Sequence, residues 1–214
     1  MLNLIKKDFL IAKKVWIFVL LGVIVVPLFL TFVGSDVRIP SGLALSITSI
    51  LLAMILFSSL DEEEEKYPKA SALMSTIGYS RTVQILKRYV LMLLFYLYSA
   101  LIYFIESGFM QGLGELTLSQ LIFSLFSFVL ISSIYLALTT ALGVRAGRYV
   151  VMFVVLLISL GPVIISKLNI QLRLSDLRVL LNESSLLFAL AVLSFILYLL
   201  SLKISLRAYK KKEL

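Results

Sequence analysis

Six apolar runs, at residues 15–33, 41–60, 89–105, 116–142, 149–165 and 186–202, contain no charged side chain, and polar or charged stretches divide them. An α-helix rises about 1.5 Å per residue, so runs of this length reach across a hydrocarbon core of about 30 Å. The chain is 61% hydrophobic, where an ordinary soluble domain is about 45 to 50% apolar. It therefore carries more apolar surface than a soluble core hides. The expected fold is an all-α integral membrane protein of six transmembrane helices, forming one domain over residues 1–214. Pro27 is expected to kink the first span, and Gly161-Pro162 to break or bend the fifth near its far end. A turn at residues 34–40 joins the first two spans, and a short basic loop at residues 143–148 joins the fourth and fifth.

Orientation follows from the basic residues. Sixteen of the twenty Lys and Arg fall before the first span, between spans two and three, between four and five, and after the sixth. The remaining four, Arg38, Lys167, Arg173 and Arg178, fall on the other side. Basic residues are retained on the cytosolic side, which places both termini there. In a soluble protein a net charge of +8 would point to nucleic acid; here the cations flank apolar runs and are read as topology signals and headgroup contacts, with no nucleic-acid partner. Residues 1–14 alternate apolar and basic positions as an interfacial helix does, and no small-residue cleavage pattern follows Leu30. Residues 166–185 form the sizeable polar segment on the outer side, with Leu174, Leu177, Leu180 and Leu181 near helical spacing, and read as an outer amphipathic helix.

Between the second and third spans lies the cytosolic segment 61–88. Pro68 suits the first turn of a helix and Gly78 a left-handed cap at its end. Ala70, Leu73, Met74 and Ile77 fall at i, i+3, i+4 and i+7, so that short helix has one apolar face to bury. Ser80 suits the N-cap of the next helix, which runs through Arg81, Lys87 and Arg88 into the third span. The apolar face fits either a helix lying on lipid headgroups or a helix docking a cytosolic partner.

The order of residues here resembles the permease subunits of type-2 ATP-binding-cassette exporters. An acidic residue leaves a span, and Lys66-Tyr67, a leucine-bearing helix, Tyr79-Ser80-Arg81, Ile85-Leu86 and Arg88-Tyr89 follow into the next. Gly78 stands where that family usually has proline, and Arg88 where it has lysine; both changes keep the cap and the charge. The resemblance implies that Ala70, Leu73, Met74, Ile77, Tyr79, Ser80 and Arg81 dock a separate ATPase subunit. It also implies that two such chains pair, as a homodimer or a related heterodimer, in a bacterial cytoplasmic membrane. The family's interfacial helix before the first span and short outer helices between the fifth and sixth correspond to residues 1–16 and 166–185. A compact permease without large outer domains is similar to exporters of cytolytic or antimicrobial peptides, so the implied cargo is an amphipathic peptide, with drug or lipid export as the alternative.

Chemistry within the chain is limited. Cys and His are both absent, which excludes disulfides, thiolate chemistry and the usual zinc and haem ligands. No phosphate-binding G-x-x-x-x-G-K-[ST] loop occurs, so ATP and Mg are expected on the partner and no cofactor on this chain. Ser124, Ser127, Ser132 and Glu106 are the candidates for a translocation path; the serines equally suit bonds to backbone or a neighbouring helix, and Glu106 suits simple solvation. The acidic run Asp61, Glu62, Glu63, Glu64 and Glu65 reads as the solvated end of the second helix, with Glu62 and Lys66 as an i, i+4 pair, or as a contact with basic residues of the ATPase or with Lys6, Lys7, Lys13 and Lys14. The rival function is a membrane immunity or assembly factor that binds a partner and transports nothing.

Overall fold

The structure, a computed structural model, describes residues 2–33, 40–66, 81–109, 113–114, 116–167 and 184–211. Among them are seven helices and no strand: α1 (Leu2–Ile11), α2 (Lys13–Val33), α3 (Ser41–Lys66), α4 (Arg81–Phe109), α5 (Leu118–Leu142), α6 (Val144–Lys167) and α7 (Ser184–Lys211). Over their described residues, α3, α4, α5 and α7 are long and apolar enough to cross a membrane. α2 and α6 are helical over 21 and 24 residues. The expected turn at residues 34–40, most of the outer helix at 166–185 and the docking helix between Pro68 and Gly78 lie outside the described residues, Pro40 excepted.

α3 is the axis of the bundle. Of its apolar stretch 67% is buried, against 11% for α7, and α2, α4, α5 and α6 all pack on it. Its sequence explains this position. Ser41, Gly42, Ala44, Ser46, Ser49 and Ala53 are small, so neighbouring helices approach closely, while Leu45, Met54, Leu56 and Phe57 fill the spaces between. At Gly42 an added Cβ would lie 2.9 Å from Gln120 Cβ and its backbone oxygen, and Ser41 donates to the Gln120 side chain. The same Gln120 closes a capping box with Thr117 at the start of α5. The first turns of α3 and α5 are thus held together at one end of the bundle.

Outer faces are apolar. Phe18 on α2, Phe104 on α4, Phe153 on α6 and Phe195 on α7 are each 64–65% exposed. Water would penalise such a surface, and acyl chains would not.

Several boundaries differ from those expected of the sequence. α4 extends to Phe109, beyond the expected end of the third span at residue 105, whereas α3 carries the acidic run as its last turns to Lys66, the helix end read from the sequence. The fifth span is not broken at Gly161-Pro162: α6 stays helical to Lys167, as α2 does through Pro27, where a kink and not a break is expected. Proline forfeits one intrahelical bond, whereas opening a helix in hydrocarbon would expose several backbone groups to a medium that offers no partners, so the helix persists. The basic loop expected at 143–148 is a single residue. Gly143, at φ 100° and ψ 176°, makes the turn alone, its N–H donating to Thr139 O at 3.0 Å. Arg145 and Arg148 accordingly sit on the first turns of α6.

At Gly147, in the second turn of α6, an added Cβ would stand 2.2 Å from Thr139 Cγ2 and 3.1 Å from Tyr135 Cε2. Gly147→Val should lower stability by about 1–3 kcal/mol through overpacking, read as a reduced thermal midpoint in detergent. Gly108→Ala, where nothing lies within 4 Å, should leave the midpoint unchanged or raise it.

Candidate functional site

The end of α3 and the start of α4 flank residues 67–80, and both flanks are charged. Five consecutive carboxylates at a helix C-terminus oppose the helix dipole, so the run needs cations to remain helical. α4 supplies two of them. Arg88 Nη2 lies 2.7 Å from Asp61 Oδ1 and 2.5 Å from Glu64 Oε2. Lys87 Nζ lies 3.4 Å from Glu64 Oε1 and 2.7 Å from Asp8 Oδ2 on α1. Tyr135 on α5 donates its hydroxyl to Asp61 Oδ2 at 2.6 Å. From α6, Arg148 reaches Glu65 at 3.2 Å and Glu62 at 3.7 Å. One network therefore joins α1, α3, α4, α5 and α6.

Burial sorts these contacts by weight. The side chains of Asp61, Lys87 and Asp8 are 3%, 4% and 6% exposed, and loss of one partner from such a pair costs about 3–5 kcal/mol because a buried charge is left alone. The Arg148 pairs are half exposed and are worth roughly 0–1 kcal/mol each.

Toward the other end, α4 carries Tyr89, Tyr96 and Tyr103, two helical turns apart and each at most 2% exposed. Their hydroxyls reach three different segments of the chain. Tyr89 bonds Ser201 and Ser205 on α7 at 2.6 and 2.8 Å. Tyr96 bonds Ser124 on α5 at 2.6 Å and donates to Leu121 O at 3.0 Å. Tyr103 donates to Leu113 O at 3.1 Å. Thr140 to Ser205, at 3.0 Å, and Ser201 to Ser133 O, at 2.8 Å, continue the seam between α5 and α7. Tyr96 and Tyr103 are buried cross-links, because a phenol in an apolar core needs a partner for its hydroxyl.

The site residues expected from the sequence are placed as follows. Asp61 is buried rather than solvated, and Glu62, Glu63, Glu64 and Glu65 face Arg148, Lys66, Lys87 and Arg88. Lys66 pairs with Glu63 at i, i+3. Of the N-terminal lysines proposed as partners for the run, Lys7 acts electrostatically on Glu64, while standing 3.8 Å from Asp8. Ser124 is buried against Tyr96, Ser127 donates to Phe123 O, and Ser132 is buried with no bond to its hydroxyl among the described residues. Glu106, at the far end of α4, has both carboxylate oxygens shielded and without a hydrogen-bond partner among the described residues. Arg81 is the first residue of α4. Ala70, Leu73, Met74, Ile77, Tyr79 and Ser80 lie outside the described residues, as does the side chain of Arg81.

Four participants lie outside the sequence reading: Asp8, Tyr96, Tyr103 and Tyr135. Asp8 is a lone acid among Lys6, Lys7, Lys13 and Lys14, and that oddity is its signal. The seven-residue spacing of Tyr96 and Tyr103 from Tyr89 is visible too. Tyr135 had no signal in the local sequence.

Residues 3–210 fit the family model described as ABC-2 family transporter protein. No curated protein and no solved structure matches.

Arg88→Ala should strip Asp61 of its cation and lower the thermal midpoint sharply, by an amount equivalent to about 3–5 kcal/mol. Glu65→Ala, on a half-exposed pair, should cost at most about 1 kcal/mol. Tyr135→Phe should fall between them, at about 1–3 kcal/mol. Thermal unfolding of the three purified proteins checks this order.

Proposed function

We propose that this chain, which belongs to the ABC-2 family of transporter proteins, moves an amphipathic cargo out of the cell, using ATP hydrolysed by a separate subunit docked at residues 67–80. Membership makes it a membrane-embedded, non-catalytic permease subunit of an ATP-binding-cassette transporter, with an associated ATPase. Export, the cargo and the docking position are the proposal. The observation that carries it is the clamp on both flanks of that segment. Asp61 and Glu64 on α3 are tied to Lys87 and Arg88 on α4, so a load applied between the two helices reaches the core of the bundle without first being absorbed by a slack joint.

In this reading the apolar stripe Ala70, Leu73, Met74 and Ile77 seats on the ATPase, while Tyr79, Ser80 and Arg81 carry the movement into α4. α2 and α6 are the two further spans, which makes six and puts both termini in the cytosol. A second permease chain completes the transporter. Ser124, Ser127, Ser132 and Glu106 line the cargo route when α4 and α5 part. The apolar spans hold no ionic trap over their length, which favours an amphipathic peptide over a small ion.

Leu73→Asp together with Ile77→Asp should abolish co-purification of the ATPase and leave membrane insertion intact; undiminished co-purification and ATP turnover would reject docking at this stripe. Topology has its own test, since the chain has no native Cys. Cysteines placed at Ser41 and Ser175 should react with an impermeant thiol reagent in intact cells, and one at Ser71 should not.

A further inference from the structure

The inward stripe of α4 is polar, and its hydroxyls are committed. Ser99, Tyr103 and Glu106 fall at i, i+4 and i+7, so they share one face of the helix, and Ser99 and Tyr103 are each 1% exposed. Tyr96, a turn before Ser99, serves Ser124 and Leu121 O. Ser99 donates to Phe95 O at 3.0 Å and Tyr103 to Leu113 O at 3.1 Å. Ser107, next to Glu106, donates to Phe104 O at 2.9 Å. These hydroxyls have no proton left to offer Glu106, and both of its carboxylate oxygens are shielded from solvent with no partner among the described residues.

A carboxylate shielded from water calls for a donor or a cation beside it. The surroundings say which kind fits. Tyr103 packs with Ala44, Leu45 and Leu113 in a buried apolar cluster, and Phe109, one turn beyond Glu106 on the same face, is 86% exposed. A metal ion would require several oxygen ligands, and among the described residues no group of three acidic side chains could hold one. An ammonium or guanidinium needs a single carboxylate and is also attracted to the face of an aromatic ring. Carried on an apolar body, it matches the walls as well as the charge.

We infer that Glu106 receives the positively charged group of the cargo, and that the cargo is a cationic amphipathic peptide whose lysine or arginine pairs with this carboxylate while its apolar side chains lie against the neighbouring apolar walls. The inference rests on the reading of α4 and α5 as walls of the cargo route and narrows the cargo from amphipathic to cationic. Glu106 stands at the end of α4 opposite Lys87 and Arg88, so in that reading the pairing belongs to the last stage of passage.

The test uses the full-length protein in phosphatidylcholine nanodiscs at low salt, without ATP. Two dansylated amphipathic helical peptides are compared, one of leucine and lysine and one with glutamine in place of every lysine, and binding is read as fluorescence anisotropy above that of empty nanodiscs. The lysine peptide should bind roughly ten-fold more tightly, the scale of one charge-assisted hydrogen bond. E106Q should remove that preference and E106D should retain it, with binding of the glutamine peptide unchanged in both. The thermal midpoint of E106Q without peptide should be unchanged or raised, because an unpaired carboxylate has been replaced by a neutral group of the same shape. Equal binding of the two peptides by the unaltered protein would overturn the inference. So would a preference that survives in E106Q, or a lowered midpoint, which would mean that a cation of the chain already holds the carboxylate. A preference that depends on Glu106, with no ATP-driven movement of the lysine peptide in vesicles that also carry the ATPase, would uphold the binding site and reject export; ATP-driven movement at equal rates for both peptides would uphold export and reject the site.

Discussion

Asp61 depends on Arg88, and much of the bundle depends on that dependence. A carboxylate that is 2% exposed is tolerable only with a cation and a donor fixed beside it, and here Arg88 comes from α4 and the Tyr135 hydroxyl from α5. Three helices are thereby held to one point, and a fourth joins through Lys87 and Asp8. The burial of an ion pair is a weak source of stability, since dehydrating the charges offsets most of their attraction. Its effect is geometric. A sliding of α4 against α3 by one turn would bring apolar Leu91 or Met92 toward Asp61, so this register is marked off from its neighbours by an energy gap.

The outward faces carry the complementary message. The paired charges are collected where α1, α3, α4 and α6 come together, and beyond that the large exposed side chains of α2, α4, α6 and α7 are mostly Phe, Leu, Ile and Val. In lipid such faces gain nothing by meeting one another, so helices must be brought together by packing and hydrogen bonds. The seam of Tyr89, Tyr96, Ser124, Ser201 and Ser205 supplies the second, and the small residues of α3 supply the first.

The long apolar helices α3, α4, α5 and α7 are legible because each is a local pattern in hydropathy. The partners of the acidic run are not. Five adjacent carboxylates read as the solvated end of a helix; they do end α3, but Lys87 and Arg88, more than twenty positions later, lie against Glu64. The same holds for Tyr89, whose partners lie 112 and 116 positions away. The Gly143 turn was mistaken for a loop because Arg145 and Arg148 are polar, although polarity in the first turns of a membrane helix is ordinary. Basic side chains there reach carboxylates of a neighbouring helix as readily as water.

The two kinds of cross-link that hold α4 behave differently when strained. A hydroxyl that leaves Ser124 or Ser205 stays neutral, and a single water molecule restores what it lost, so the tyrosine contacts can be undone and remade with little penalty. An aspartate that leaves Arg88 takes a bare charge with it, and no single water compensates for that. One end of α4 is therefore a fixed pivot and the length beyond it a set of releasable catches, the mechanical arrangement of a lever.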